Sequence, residues 1–264
     1  MVTATYVELD SRLAAVDLVS TQGIVEGLRA IKDESEVLAI RRSIDVNQQA
    51  FQNTVAKLSA DQTEREFAFA LESEMRTLGA SGFAFDPIVG VGPRAALPHG
   101  RAGNTKIGSG GCLLVDWGAN VDGYLSDLTR VVVCDQPDEK FIEIYNVVLA
   151  AQMAAISSIA PGVACKAVDY AARSIIEDAG YGAFFGHGTG HSFGLEIHEK
   201  PYFSQSDDEM LAVGMVVTVE PGIYIPDCAG VRIEDDVMVT ENGYEVLSNL
   251  PKDWEQCVVR LGDN

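Results

Sequence analysis

Apolar residues recur at helical spacing in two stretches near the start of the chain. The first stretch carries Val37, Ile40, Ile44, Phe51, Val55 and Leu58. Asp33, with Glu36 three residues on, marks its start as a capping box, in which side chain and backbone exchange hydrogen bonds. A second helix is predicted from Thr63, with Glu66 in the matching place, Phe67, Leu71, Met75 and Leu78 as its buried stripe and Gly79 as its stop. From Phe83 to Val133 the pattern changes to short Val, Leu and Ile runs. Turn residues at Gly92-Pro93, Gly108 to Gly111 and Asp122-Gly123 break these runs, which predicts strands and hairpins. The order then recurs. A helix from about Glu139 carries Phe141, Tyr145, Val148, Leu149 and Ile156 and ends before Pro161-Gly162. Another runs from about Lys166 to Gly180, and strands follow from about Phe184 to Val246. Corresponding helix starts lie about 104 and 102 residues apart. The chain therefore reads as two αα-then-β halves meeting near residue 136, an α+β layout with helices on one side of a sheet. A cleft between related halves is a usual place for a site.

Acidic residues fall at matching places in the two halves. In the first, Val115-Asp116-Trp117-Gly118 and Ser126-Asp127-Leu128-Thr129 flank a turn signal at Asn120 to Gly123. A hairpin centred there makes Asp116 and Asp127 direct cross-strand neighbours. In the second half, Glu220 and Glu234 oppose each other across a turn near Pro226 to Gly230. The offset between halves is 104 for the first acids and 107 for the second. Like charges facing each other across strands are destabilising. Two carboxylates that close must share a proton or hold a cation.

Composition narrows the setting. The net charge is -20, from 39 acids and 19 bases, a surface that repels phosphate backbones and argues against nucleic acid as a partner. No stretch approaches the roughly 20 apolar residues of a membrane span, and the N-terminus lacks a secretory pattern. Five cysteines, an odd count without a C-x-x-C, argue against a disulfide framework and a structural zinc site, so a reducing cytoplasm is expected.

The four histidines all lie in Gly- or Pro-flanked segments. His99 follows Leu97-Pro98, and His187, His191 and His198 fall within 12 positions. Imidazole is a common metal ligand and a good acid near neutral pH. Carboxylates with one or two histidines suit Mn²⁺, Co²⁺, Fe²⁺ or Zn²⁺. Four acids are too many for one ion and suit two.

These segments resemble the pita-bread metallopeptidases, which include Xaa-Pro dipeptidases (prolidases), Xaa-Pro aminopeptidases, methionine aminopeptidases and creatinases. The similarity runs from about residue 30 to 250. It implies a curved antiparallel sheet covered by helices in two pseudo-symmetric halves. It also implies a dinuclear centre, Mn²⁺ first among the candidate ions. The implied ligands are Asp116 of Asp-x-Gly-Ala, Asp127 of Ser-Asp-x-Thr-Arg, His191 of Gly-His-x-x-Gly, Glu220 of Glu-Pro-Gly and Glu234 of Arg-Ile-Glu-Asp. Glu220 becomes the general base and then acid, with His198 and His99 stabilising the oxyanion. His187, Arg232 and Tyr202 are expected to contact substrate.

The segments Gly123-Tyr124-x-Ser126-Asp127-x-Thr129-Arg130 and Val231-Arg232-Ile233-Glu234-Asp235 are similar to the proline-specific branch. Methionine aminopeptidases usually carry a His where Asp235 stands. The expected activity is hydrolysis of the bond preceding proline in Xaa-Pro dipeptides or short Xaa-Pro peptides. A creatinase-like hydrolase or lyase, a methionine aminopeptidase-like enzyme and a non-catalytic binding module are the alternatives. Residues 1–30 read as a stub of an N-terminal domain that the proline-specific enzymes carry, and 31–264 as the catalytic domain. The branch also suggests a homodimer. Some prolidases place an arginine directly after His-Glu-x-Pro to hold the dipeptide's carboxylate, and Tyr202 stands there instead.

Overall fold

The computed structural model describes residues 3–261, apart from residues 14 and 135. Helices α1 (Thr3–Arg12) and α2 (Ile24–Ala30) come first. The first half follows as α3 (Glu34–Val55), α4 (Glu64–Thr77), β1 (Gly82–Phe83), β2 (Ile88–Val91), β3 (Cys112–Trp117), β4 (Ala119–Val121), β5 (Tyr124–Leu125) and β6 (Leu128–Val133). The second half is α5 (Glu139–Ser157), α6 (Cys165–Asp178), β7 (Gly190–Ser192), β8 (Glu199–Phe203), β9 (Val216–Val219), β10 (Gly222–Ile225), β11 (Ala229–Arg232), β12 (Asp235–Thr240) and β13 (Gly243–Val246). Both expected capping boxes are present, Asp33 with Glu36 and Thr63 with Glu66. Asp138 caps α5 by accepting from the Phe141 amide at 2.7 Å. None of the described helices is long and apolar enough to cross a membrane.

All strand pairs within the sheets are antiparallel. In the first half the order is β2-β3-β6, with β1-β4-β5 beside it. In the second it is β13-β12-β9-β7-β8, with the hairpin β10-β11. Alternation along β3 and β6 decides what each face meets. Leu113, Val115, Trp117, Leu128 and Val132 pack with Phe51, Phe67, Leu71 and Met75 of α3 and α4. Cys112, Leu114, Val131 and Val133 point the other way and join the core of the second half, with Ile144, Tyr145 and Val148 of α5. By the same alternation Asp116 and Asp127 lie on the face turned towards the second half.

The first hairpin is one residue out from the expected centre. Asp116 faces Thr129, not Asp127, and Asn120 faces Leu125. The turn is the two-residue loop Asp122-Gly123, with φ 53° and 87°. Positive φ at both central residues matches the right-handed twist of the flanking strands, which fixes the register there. The correction moves Asp127 to the diagonal from Asp116 but keeps it on the same face. In the second hairpin Gly222 pairs Arg232 and Ile225 pairs Ala229, the register expected for Glu220 opposite Glu234. Strands expected from Phe184 begin only at Gly190. Gly182–Phe184 is a short 3-10 turn, and the stretch after it is irregular until Thr189, whose amide donates to the Phe203 carbonyl and whose carbonyl accepts from the Glu220 amide, each at 2.7 Å.

Candidate metal centre

The acids reach one place because each half ends its apolar strands there. Asp116 precedes the end of β3, Asp127 stands before β6, Glu220 follows β9, and Glu234 lies between β11 and β12. The halves are stitched together at this point by the Glu234 amide, which donates to the Thr129 carbonyl at 3.2 Å. Asp116, Asp127 and Glu234 each offer a carboxylate oxygen, and these oxygens lie within 4.8 Å of one another. His191 Nε2 lies 3.6 Å from Asp127 Oδ2 and 3.3 Å from Glu220 Oε1. The structure thus brings all five expected ligands into one cluster. Asp116, Asp127, His191 and Glu234 are buried, and Glu220 is half-buried. Gly190 permits this approach: a Cβ there would sit 2.0 Å from the Thr218 carbonyl oxygen of β9.

Protein groups orient part of the cluster and leave part of it open. The Thr129 hydroxyl donates to Glu234 Oε2 at 2.7 Å and accepts from Arg232 Nε at 3.0 Å. Arg232 Nη2 donates to Asp116 Oδ2, and Nη1 donates to the Tyr224 hydroxyl at 2.7 Å. The Thr218 hydroxyl donates to Glu220 Oε1 at 3.1 Å. His191 Nδ1 lies 3.1 Å from the Ser192 carbonyl, so Nδ1 donates and Nε2 presents its lone pair to the acids. Asp116 Oδ1 and Glu234 Oε1 are buried with no hydrogen-bond partner among the described residues.

Such a cluster is electrostatically costly by itself. Burial first, then the Glu234 and Asp116 carboxylates, push Asp127 well above the usual carboxylate range. Burial, then Glu220 and Asp116, push Glu234 well above it too. Asp116 is raised by burial despite the Arg232 guanidinium beside it. Burial lowers His191, which favours its neutral, ligating form. Orphaned buried oxygens, carboxyls crowded against one another and a neutral imidazole facing them fit a metal centre.

A cavity of about 660 Å³ opens over the cluster. His99 and His198 are exposed on its wall, and Tyr202 lines it at 38% exposure. The His198 ring packs on His191 with centroids 4.5 Å apart. His187 also lines the cavity. Its Nδ1 meets the Gly188 carbonyl at 2.7 Å and its Nε2 the Tyr224 hydroxyl at 2.8 Å. Arg232 also lines the cavity, but each of its three nitrogens already has a protein acceptor. Asp235 points away from the cluster to Arg130, Gln152, Ser248 and Lys252. Thr129, Thr218 and Tyr224 were not singled out for a role by sequence reasoning. For Thr129 and Thr218 the available signal was a hydroxyl two residues from an acid in an extended run, which puts both on one face.

Two matched halves closing on one acidic cluster define a metal-dependent hydrolase of the pita-bread type. The profile of "Metallopeptidase family M24" matches residues 39–241. A Xaa-Pro dipeptidase of Pyrococcus horikoshii is 40% identical over 246 residues, covering 93% of this chain and 70% of that one. An uncharacterized peptidase of Bacillus subtilis, YqhT, is 41% identical over 253 residues, covering 96% and 72%. The crystal structure of an X-Pro aminopeptidase from Thermotoga maritima superposes with a TM-score of 0.92 at 40% identity, again covering 96% and 72%. The chain belongs to metallopeptidase family M24.

Proposed function

We propose that this protein hydrolyses the peptide bond preceding proline in Xaa-Pro dipeptides and short Xaa-Pro peptides, with two divalent ions held by Asp116, Asp127, His191, Glu220 and Glu234. The observation that carries the reading is the cluster itself, with acids from both halves and unpartnered oxygens on Asp116 and Glu234. Relatives named as Xaa-Pro dipeptidases and X-Pro aminopeptidase support the substrate class. The carboxylate-rich donors suit Mn²⁺ first, then Co²⁺, Zn²⁺ or Fe²⁺. Four carboxylates beside one guanidinium leave three negative charges, which one divalent ion does not compensate and two do.

Bound ions of this kind polarise a carbonyl and acidify water. The chain's own groups supply the rest. Glu220, held by the Thr218 hydroxyl, takes the proton from the attacking water and delivers it to the leaving proline nitrogen. His198 and His99 donate hydrogen bonds to the developing oxyanion from the cavity wall. Partial desolvation, then neighbouring His191, lowers His198 from the ordinary histidine value, which favours its neutral form as the donor. Tyr202 and His187 contact the substrate side of the cavity. Arg232 serves substrate indirectly, through the Asp116, Thr129 and Tyr224 groups it positions.

The test compares hydrolysis of Ala-Pro, Ala-Pro-Ala and Ala-Ala by the full chain with added Mn²⁺. Release of free proline from Ala-Pro without cleavage of Ala-Ala is the expected result. Equal turnover of Ala-Ala would remove the proline preference. Asp116→Ala and Glu234→Ala are each expected to abolish both metal uptake and hydrolysis. Normal turnover by either variant would sink the metal assignment.

A further inference from the structure

Glu199, next to His198, is buried and accepts five hydrogen bonds. Its Oε1 takes Arg29 Nε at 3.2 Å, a second bond from Arg29 Nη2, and the amides of Leu195 and Glu196 at 3.0 and 3.1 Å. Its Oε2 takes Lys32 Nζ at 3.1 Å. Lys32 is only 5% exposed, and the same ammonium donates to the Ser192 hydroxyl at 3.1 Å. Ser192 Oγ in turn donates to the Val216 carbonyl of β9. The backbone is held as well: the Lys32 amide donates to the Gly214 carbonyl and the Leu125 amide to the Gly194 carbonyl, each at 2.9 Å.

These contacts enclose one loop. It begins at His191 and Ser192 of β7 and ends at His198 and at Glu199, the first residue of β8, and the two histidine rings meet across it. Gly194 inside the loop comes so near the ion pair that a Cβ would stand 3.1 Å from Lys32 Cε and 3.2 Å from Glu199 Oε2. His198 itself is exposed and carries no hydrogen bond among the described residues. Its place therefore depends on the segment that bears it. The cations that hold this segment come from α2 and the link to α3, which precede the residues matched by the family profile.

We propose that Arg29 and Lys32 are positioning residues that act through Glu199 to hold His198 against His191 at the mouth of the cavity. Neither cation lines that cavity. Residues 24–32 are thus a working part of the catalytic unit, reaching from ahead of the first half into the second. A boundary at residue 30 would cut the clamp in two. An unneutralised Glu199 in that buried place would pull the loop towards water. The proposal rests on the assignment of His198 to the oxyanion.

The test is a double-mutant cycle on Ala-Pro hydrolysis by the full chain with added Mn²⁺. Lys32→Met is expected to lower kcat by about tenfold, with KM and bound Mn²⁺ near wild type. Lys32→Arg should recover most of the loss. In a His198→Ala background the same Lys32→Met change should cost less than about twofold, because its target is already gone. Equal fold-losses in both backgrounds, or loss of Mn²⁺ in step with activity, would overturn the clamp. If His198→Ala alone leaves kcat unchanged, the oxyanion assignment falls and takes the clamp with it. Should Lys32→Met fail to fold, Glu199→Gln keeps the shape, weakens the ion pairs and must show the same dependence on His198.

Discussion

Thr129 shows how much of this centre depends on groups that carry no charge. Its hydroxyl stands between the Glu234 carboxylate and the Arg232 guanidinium, donating a hydrogen bond to one and accepting one from the other. Without it, one buried oxygen and one buried donor lose their partner together, at about 1–3 kcal/mol each. Thr129→Val keeps the shape and removes both bonds. The expected outcome is a metal affinity lower by about 10–100-fold, read by titrating Mn²⁺ into metal-free protein. An affinity unchanged within error would mean that Arg232 holds Glu234 by charge alone. At this scale the sequence was legible where residue type is rare and chemistry obvious. The five proposed ligands could be read from motifs, but the roles of Thr129 and Tyr224 could not. A threonine in a strand is ordinary, and only the fold reveals that its hydroxyl faces a carboxylate from the other half. Asp236 went unread for a similar reason. It looks like one more acid in an acidic chain, yet it is fully buried, with Oδ2 accepting from the Asp127 amide and the carboxyl pushed well up by burial.

Among the elements, helices were the easiest to read and strand register the hardest. Asp33 and Thr63 announce α3 and α4 because capping boxes are local, needing only the next three residues. α6 has no such announcement: Ala164 caps it without a side-chain bond, and its start falls at Cys165. Register depends on turn conformation, which composition indicates only loosely. Placing the hairpin centre one residue early made Asp116 and Asp127 direct partners, when Asp116 faces Thr129. The conclusion that both acids share a face survived because moving a hairpin centre by one whole residue preserves the two-residue alternation. A centre misplaced by half a residue would have turned one acid away from the site. Gly123 holds this register at φ 87°, with open space where a side chain would go. Gly123→Ala therefore tests backbone strain without a clash. It should cost about 1 kcal/mol, lowering Tm by about 2–4 °C while Mn²⁺ binding persists. A large loss of metal would show that the turn, rather than the strands, sets the spacing of the acids.

Taken whole, the molecule carries a strong negative excess and concentrates part of it where water is scarce. In the metal-free protein Asp127 and Glu234 have carboxyls raised by burial and by neighbouring carboxylates. A raised carboxyl stabilises the fold at pH below its unfolded value of about 4, and that contribution is lost as pH rises through the higher folded value. Histidine 191 works in the opposite sense: lowered by burial, it destabilises the fold when pH falls below about 6.5 and it must take a proton. Metal needs the carboxylates ionised and the imidazole neutral, so both groups favour binding at higher pH. The rise in Tm on adding Mn²⁺ should therefore be small near pH 5 and grow towards pH 8, measured by thermal melts with and without a chelator. A Tm increment independent of pH would contradict the placement of these groups around the ion.

The two halves bring unequal gifts to the shared centre. The first gives Asp116 and Asp127, and the second gives Glu220, Glu234 and His191. Had two identical chains met about a twofold axis, each group would appear twice and the site would look the same from either end. Here the first half adds the single imidazole of His99 on the cavity wall, and the second carries those of His191 and His198 in contact. The centre therefore has a direction. A peptide is directional too, with its amine at one end and its carboxylate at the other. A site with unlike ends can accept it one way round and reject it reversed, so the departure from symmetry between the halves becomes a means of telling which bond of a peptide comes first.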